Sequence, residues 1–146
     1  MTVEIREFEA SDCEAATVLW RATAGIVLRD VDAPDAIARY LARNPGSSFV
    51  AVERGRVVGT VLCGDDGRRG YLQHLAVAPE ARRRGIGRAL VARALHALEE
   101  RGIHKCHLMV LSENDAARAF WKALGWIERD DLSLMSHLAP GARPGS

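Results

Sequence analysis

The sequence predicts an α/β domain in which helices flank a mixed, mostly antiparallel sheet. Apolar residues alternate with polar ones in short β-rich runs, and other segments carry apolar residues at every third or fourth position. Glycine, proline and asparagine stand between these segments, as is typical of turns. The resulting order is β-α-α-β-β-β-α-β-α-β. We expect residues 1–138 of the 146 to form a single domain and residues 139–146 to form a flexible C-terminal tail.

The N-terminal third of the chain is predicted to hold one strand and two helices. Residues 3–8 alternate apolar and charged side chains, as in a half-buried strand. Ser11 and Glu14 have the spacing of a capping box, so a first helix is expected to begin there. Pro34 suits the first turn of a second helix, which the turn residues at 44–46 would end.

The middle of the chain is predicted to form three consecutive strands. The β-rich runs at 49–53 and 57–63 are joined by Arg54-Gly55-Arg56, a short hairpin signal. A cluster of turn residues at 64–67 precedes the third run, at 71–77.

The last third is predicted to alternate helices and strands. Apolar residues recur with helical period over 86–98, and Gly102 would end this long amphipathic helix. A strand is expected over 104–111, followed by a short helix whose apolar residues span 117–124. One or two final strands are expected from Trp126 to about Leu138.

Composition narrows the class of protein. Lys and Arg total 20 against 19 for Asp and Glu, a balance that argues against a dedicated nucleic-acid binder. No apolar run approaches the ~20 residues that cross a bilayer, and the acidic N-terminus is unlike a secretory signal. We therefore expect a cytoplasmic protein with neither nucleic-acid nor membrane partners; a homodimer is left open. Its histidines and cysteines lack metal-ligand spacing, so no metal is expected, and Cys13, Cys63 and Cys106 are expected to be buried thiols.

The segment before the long helix predicts an anion site. Gly85 and Gly87 leave backbone N–H groups accessible at the positive end of the helix. Neither a dinucleotide fingerprint nor a Walker loop is present, because Leu90 replaces the third glycine of the former and Gly-Lys-Ser/Thr is absent. A solvated basic turn is the alternative to a phosphate site. Four arginines add positive charge: Arg82, Arg83, Arg84 and Arg88.

Two motifs at a characteristic separation carry a family resemblance. The first is Arg82-x-x-Gly85-x-Gly87, which follows Leu75-x-Val77-x-Pro79. The second is Asn114-x-x-Ala117-x-x-Phe120-Trp121-x-x-x-Gly125-Trp126. Together they resemble the acyl-CoA loop and a later helix of the GNAT superfamily of N-acetyltransferases. A weaker likeness, at Leu28-Arg29 and Leu132-Ser133-Leu134, points to its small bacterial YpeA-like branch. The resemblance covers residues 3–138 and implies this superfamily's acyl-CoA N-acyltransferase fold.

The resemblance also implies a site for acetyl-CoA as co-substrate. The pantetheine arm would pair, like an added strand, with the backbone of Leu75, Ala76 and Val77. The pyrophosphate would be held by backbone N–H groups of Arg82, Arg83, Arg84, Gly85, Ile86, Gly87 and Arg88. Asn114 would hydrogen-bond the pantetheine arm, Phe120 and Trp121 would pack on the acyl end, and Ala117 of the same helix would also bind the cofactor. A plain helix cap is the alternative for Asn114, and core packing is the alternative for Phe120.

The implied reaction is direct attack of a primary amine of a small molecule on the thioester. A lysine-like amine costs about 4–5 kcal/mol to deprotonate at neutral pH, so a proton acceptor is useful. Tyr71 and Gln73 on one strand are the catalytic candidates; the facing strand offers His107 and Met109 but no carboxylate. Trp121 stands where the family usually has a tyrosine that protonates the leaving thiolate. Because an indole N–H is too weak an acid for that role, Trp121 is expected to shape the acyl pocket.

The acceptor is less well defined than the cofactor. Arg29, in the connection between the first two helices, is a candidate for binding a substrate carboxylate, the alternative being a solvent-exposed arginine. A protein or peptide acetyltransferase is one alternative function, and a CoA-binding module without catalysis is another. Acceptor loops vary within such folds, so the sequence does not identify the amine.

Overall fold

The structure, a computed structural model, describes residues 2–143. Its sheet has the strand order β1-β2-β3-β4-β5: β1 (Glu4–Glu7), β2 (Phe49–Glu53), β3 (Arg56–Asp65), β4 (Gly70–Val77) and β5 (Cys106–His107). The helices of the described part are α1 (Cys13–Arg21), α2 (Pro34–Arg43), α3 (Ile86–Glu100) and α4 (Asp115–Ala123). Neighbouring strands are antiparallel except for β5, which runs parallel to β4. The predicted fold class is confirmed.

Helices cover both faces of the sheet. On one face, the Trp20 indole N–H of α1 donates to Thr60 Oγ1 of β3 at 2.9 Å, and Trp20 is fully buried, as expected of a core residue. On the other face, a Cβ added to Gly59 would lie 3.0 Å from Leu90 Cδ1 of α3. Because adjacent strand residues point to opposite faces, α1 and α3 pack on opposite sides of β3. A Cβ on Gly64 would meet Tyr40 of α2, so α2 shares the face of α1.

The start of α1 differs from the predicted capping box. The Glu9 backbone N–H donates to Asp12 Oδ2 at 2.8 Å, and a short 3-10 turn, Ala10–Asp12, precedes the helix. Arg6 binds both carboxylate oxygens of Asp12 at 2.8 Å. A buried, ionised carboxylate is a stronger acceptor than the Ser11 hydroxyl, so Asp12 organises this helix start.

The C-terminal strand predictions are wrong in extent. The strand expected over 104–111 forms only at Cys106–His107, and no residue from 126 to 138 is in a strand. Ile127, Leu134 and Met135 are 82%, 77% and 90% exposed. Four consecutive charged residues, 128–131, interrupt the apolar pattern, and three of them, Glu128, Arg129 and Asp131, form ion pairs. This segment is therefore held by side chains instead of a backbone ladder.

The structure describes only part of the expected C-terminal tail. Residues 139–143 are exposed, and the rest of the expected tail, 144–146, lies outside the described residues, as does Met1. None of the helices within residues 2–143 is long and apolar enough to cross a membrane.

Candidate active site

A β-bulge in β4 shapes the centre of the sheet. The register of the β3–β4 pairing shifts between Thr60 and Leu62. As a result, two residues of β4, His74 and Leu75, lie opposite the single residue Val61 of β3 in the strand register. His74 has φ +51°, a left-handed conformation that costs an L-residue roughly 1–2 kcal/mol. The Thr60 hydroxyl donates to the His74 carbonyl oxygen at 2.9 Å and so stabilises the bulge.

Most of the outer edge of β4 has no strand partner among residues 2–143. β5 pairs with β4 through two residue pairs: Gly70–Cys106 and Tyr71–His107. Residues 72–77 continue β4 beyond this pairing and have no strand partner on this edge within the described chain; of their carbonyl oxygens, that of Val77 accepts a hydrogen bond from Arg82 Nε. An extended ligand could add to such an edge like a strand. The open stretch includes the predicted pantetheine-binding residues Leu75, Ala76 and Val77.

The open edge of β4 leads to the N-terminus of α3. Gly85 is the N-cap of α3 with φ +77°, and a Cβ there would meet nothing within 4 Å. The N–H groups of the first helical turn, which include those of Ile86, Gly87 and Arg88, have no partner within the helix. The loop and the helix dipole therefore have the geometry that an anion site requires, and the binding of a phosphate here stays a prediction.

The four arginines of this turn divide into two pairs. Arg84 forms a bidentate ion pair with Glu53 of β2, which holds the pKa of that carboxyl below its ordinary value. Arg82 Nε donates to the Val77 carbonyl oxygen at 3.1 Å. Arg83 and Arg88 are exposed and form no ion pair with the described residues. Two arginines thus fix the turn, and two remain available to a ligand.

Phe120 of α4 lies against the same loop. A Cβ added to Gly87 would lie 3.5 Å from Phe120 Cζ and 3.7 Å from Val77 Cγ2. The end of β4, the start of α3 and one face of α4 therefore converge at Gly87. Phe120 is exposed, so it is not a core residue in this structure.

Asn114 caps α4 and touches the connection between α1 and α2. Its Oδ1 accepts a hydrogen bond from the Ala117 backbone N–H at 3.1 Å, as the capping interpretation predicts. Its Nδ2 would lie 2.6 Å from a Cβ added to Gly25, whose φ is +88°. Only glycine fits at position 25 without displacing Asn114.

Trp121 lies on a different side of α4 from the loop. Its ring is half-buried and packs against Trp126 at 5.0 Å between centroids and against Phe120 at 5.2 Å. Together with His107, Met109 and other residues of 106–134, Trp121 lines a groove of about 450 Å³ beside β5. An acyl-pocket role for Trp121 stays a prediction.

Comparison with known proteins identifies the family. Residues 13–126 match the acetyltransferase (GNAT) family. The chain belongs to this family. A Pectobacterium atrosepticum protein named as an acetyltransferase is 38% identical over 137 residues, which cover 93% of this chain and 96% of the relative.

Solved acetyltransferases share the fold of this GNAT domain. The PaiA N-acetyltransferase from Thermoplasma acidophilum, solved in complex with coenzyme A, aligns with a TM-score of 0.78 and 22% identity. The alignment covers 89% of this chain and 92% of that one. The aminoglycoside N-acetyltransferase AAC(6′)-Iy, solved with the bisubstrate analogue CoA-S-monomethyl-acetylneamine, aligns with a TM-score of 0.77 and 19% identity. This alignment covers 95% of this chain and 100% of that one.

The catalytic candidates of the GNAT domain share one face of the sheet. Tyr71 pairs with Gly64 and Gln73 pairs with Leu62, so both side chains point to the face that α1 and α2 cover. The Tyr71 and His107 rings lie 5.8 Å apart between centroids. Tyr71 and Gln73 are exposed there, and their catalytic role stays a prediction.

Two cysteines near these strands are poor nucleophiles. Burial raises the pKa of the Cys63 thiol to about 12 and that of the Cys106 thiol to about 11. Both thiols are therefore protonated at neutral pH, when a thiolate would be needed for a covalent acyl intermediate.

The GNAT domain also contains a His–Asp pair that the sequence analysis missed. His74 Nε2 lies 2.7 Å from Asp32 Oδ1, and the two side chains are only 16% and 7% exposed. Asp32 belongs to the α1–α2 connection, 42 residues before His74, and no motif links the two positions. The sequence analysis considered His74 only as a metal ligand. Within residues 2–143, no group of three or more His, Cys, Asp or Glu is arranged to hold a metal ion.

Arg29 lies next to this pair in the chain. Its backbone N–H donates to Asp32 Oδ2 at 2.9 Å, and its side chain is exposed. Arg29, Asp32 and Arg21 contribute to the walls of an open groove of about 730 Å³ between α1 and the α1–α2 connection. The structure thus places Arg29 close to Asp32, whereas its binding of a substrate carboxylate stays a prediction.

Proposed function

We propose that this GNAT enzyme transfers the acetyl group of acetyl-CoA to the primary amine of a small molecule. The open edge of β4 that leads to the N-terminus of α3 is the observation that carries the proposal. Coenzyme A combines an extended amide-containing arm with a diphosphate. The arm would pair with the backbone of Leu75–Val77, and the diphosphate would meet the N–H groups of the α3 turn.

The surrounding residues have complementary roles in this proposal. Arg83 and Arg88 would add charge at the phosphates, and Phe120 would border the arm where it passes Gly87. A backbone N–H of β4 would polarise the thioester carbonyl, and holding amine and thioester together would supply much of the rate. Trp121 would shape the acyl pocket, with the thiolate leaving unprotonated or taking its proton from water or Ser112.

A small acceptor is favoured by the size of the groove next to Asp32. At about 730 Å³ it lies within the range of small-molecule sites, although it is open to solvent. The fold neighbour AAC(6′)-Iy was solved with an analogue that joins CoA to a small amine-derived group. The three cysteines are free thiols, which suits the reducing cytoplasm.

A thiol-release assay across an amine library tests the function. Acetyl-CoA would be incubated with free amino acids, polyamines, aminoglycosides and short peptides, and the released CoA thiol would be measured. We expect turnover with a small amine. Turnover with peptides alone would instead establish a peptide acetyltransferase, and CoA binding without turnover would establish a silent binding module.

A matched pair of glycine substitutions tests the cofactor loop. Gly85 and Gly102 have φ +77° and +79°, and neither has atoms within 4 Å of an added Cβ. Gly85→Asp and Gly102→Asp therefore impose similar backbone strain, but only the first puts a carboxylate at the anion site. We expect Gly85→Asp to weaken CoA binding at least tenfold, about 1.4 kcal/mol by calorimetry, and Gly102→Asp to leave it unchanged. Equal affinities would exclude the loop as the phosphate site.

Arg29→Ala tests the acceptor side. If the acceptor carries a carboxylate, this substitution should raise the KM for the acceptor and leave the KM for acetyl-CoA unchanged, because the side chain lies on the groove and away from the α3 turn. Arg39→Ala, an exposed arginine of α2 that pairs with Asp35, is the control. Equal effects on both constants, or on neither, would remove Arg29 from the acceptor site.

A further inference from the structure

We propose that His74, oriented by Asp32, accepts the proton that the acceptor ammonium must lose before it attacks the thioester, an inference that rests on the proposed function. One member of the pair lies on β4, next to the proposed cofactor site, and the other lines the proposed acceptor groove. His74 directly precedes Leu75, at the bulge of β4, and Asp32 contributes to the wall of the groove beside α1. His74 thus adjoins the open stretch of β4, and its imidazole reaches the candidate acceptor groove through its contact with Asp32.

The surroundings hold the His74 side chain in one orientation. Trp20 donates to Thr60 Oγ1, and Thr60 donates to the His74 carbonyl oxygen, each at 2.9 Å. The indole of Trp20 also lies edge-on to the imidazole, 4.8 Å between centroids. Asp32 fixes the ring from the third side at 2.7 Å, and its second oxygen is held by the Arg29 backbone N–H. The left-handed backbone of His74 is thus supported by contacts from β3, α1 and the α1–α2 connection.

The hydrogen bond to Asp32 determines which ring nitrogen can act. An ionised carboxylate only accepts hydrogen bonds, so Nε2 carries the hydrogen and Nδ1 keeps its lone pair. Nδ1 can then take a proton while Asp32 stabilises the resulting imidazolium, the role that a carboxylate has beside a catalytic histidine in general. Asp32 acts through His74 and is a positioning residue.

The proton balance of the step is complete. One proton passes from the acceptor ammonium to His74 Nδ1, directly or through a water molecule, and frees the nitrogen lone pair. The amine nitrogen bonds to the thioester carbonyl carbon, the C–S bond breaks, and CoA leaves as the thiolate. The second amine proton passes to that thiolate or to solvent, and His74 returns its proton to solvent.

The charged and titratable groups around the pair are few. Asp32 is the charged group in contact with the imidazole, and α1 presents the Trp20 indole to it. Thr60 of β3 contacts the His74 backbone carbonyl and not the ring. The groove that Asp32 lines also carries groups from α1 and from the connection: Cys13, Glu14, Arg21 and Arg29. Neighbouring positions of β4 carry Tyr71 and Gln73.

His74→Gln is the decisive variant. Glutamine can still donate to Asp32 but cannot take up a proton at neutral pH. We expect kcat/KM for the fastest small amine in the library to fall about 100-fold or more, the scale of a lost general base. We also expect the pH–rate profile to change shape, so that the residual rate rises tenfold per pH unit with the free amine. His96→Gln, an exposed α3 histidine beside Glu100, is the matched control and should behave as the native enzyme.

If His74→Gln folds poorly, His74→Gly provides a second test of the same proton-accepting role. Glycine adopts φ +51° without strain, and the space left by the ring can admit imidazole. We expect added imidazole to restore turnover of this variant in a saturable way and to leave His96→Gln unaffected.

The remaining outcomes separate this role from the enzyme's function. Native turnover with a small amine, combined with a His74→Gln variant that keeps its rate and pH profile, would overturn the base assignment alone. A slow variant with an unchanged pH profile and no imidazole rescue would make the His74–Asp32 pair a purely structural contact. Absence of native turnover with any small amine would overturn the proposed function itself.

Discussion

The two ends of the chain are held together by different means. From β1 to α3, antiparallel ladders and helices on both faces bury nearly all of the core, and its last buried member is Ile103. After that residue, β5 has two residues and α4 buries no residue. Aromatic contacts of Trp121 and ion pairs of Arg118 with Glu128 hold this second region.

The difference between the regions indicates what a bound cofactor would do. The α3 turn and the open edge of β4 belong to the well-packed first region, so the candidate anion site is formed before any ligand arrives. Phe120 and Asn114 belong to the second region and approach that site from α4. A ligand lying between them would join the two regions and should stabilise the second more than the first.

Truncating one leucine in each region should give the largest difference in the free energy of unfolding between the two regions. Leu90 of α3 is fully buried, whereas Leu134 is 77% exposed. Leu90→Ala should lower the free energy of unfolding by about 2–5 kcal/mol, because it leaves a cavity against β3. Leu134→Ala should change it by less than about 0.5 kcal/mol. Chemical denaturation measures both values, and a similar cost for the two would remove the distinction between the regions.

The next test compares how the stability that one carboxylate contributes in each region depends on pH. The hydrogen bonds from Arg6 hold the pKa of buried Asp12 below its ordinary value. Its stabilisation is therefore present above the unfolded pKa of about 3.9 and is lost as the pH falls through the lower folded pKa. Asp12→Asn should lower the free energy of unfolding by about 1–3 kcal/mol at pH 7, with the difference shrinking below about pH 4.

Glu128→Gln is the counterpart in the second region. Arg118 and then Lys122 lower the pKa of Glu128, so the sign of the pH dependence is the same. Because this pair is exposed, we expect a smaller effect that added salt removes. A Glu128 effect as large as that of Asp12, or one insensitive to salt, would show that the second region is packed more tightly than its exposure indicates.

Trp121→Phe should have the smallest effect on activity. If the indole shapes the acyl pocket without giving up a proton, turnover should stay within about tenfold and the alkaline limb of the pH–rate profile should not move. Trp126→Phe, which changes the neighbouring ring in the same groove, controls for lost packing. A ~100-fold loss of turnover in Trp121→Phe alone, with CoA affinity intact, would contradict this role.

Local sequence patterns predicted most of the first region. The helical period of residues 86–98 gave α3, and the hairpin residues 54–56 gave the β2–β3 turn, because each signal lies within the element that it specifies. Gly85 could be predicted to leave backbone N–H groups accessible, because the residues on either side already indicated a turn from a strand to a helix. The family motifs then placed the predicted cofactor loop at this turn without any tertiary information, and its binding of CoA stays a prediction.

Tertiary contacts account for the features in which the structure differs from the sequence-based predictions. Arg6 reaches from β1 to Asp12 and replaces the local Ser11–Glu14 capping box. The bulge at His74 depends on pairing with β3, and its contact with Asp32 depends on how the α1–α2 connection folds over the sheet. Residues 126–138 have an apolar content suited to strands, but the charged run at 128–131 binds to side chains instead. None of these contacts has a signature in a short window of sequence.

The parallel pairing of β5 with β4 has a consequence for the order of folding. β2, β3 and β4 are joined by short turns, so their ladders close small loops and can form early. β5 can meet β4 only after α3 has crossed over the sheet, and α4 follows β5 in the chain. Because α3 must form first and α4 follows β5 in the chain, the α4 side of the candidate site is expected to assemble last. During synthesis on the ribosome, the candidate anion-binding turn would already exist when the α4 residues that are proposed to border the acyl end emerge.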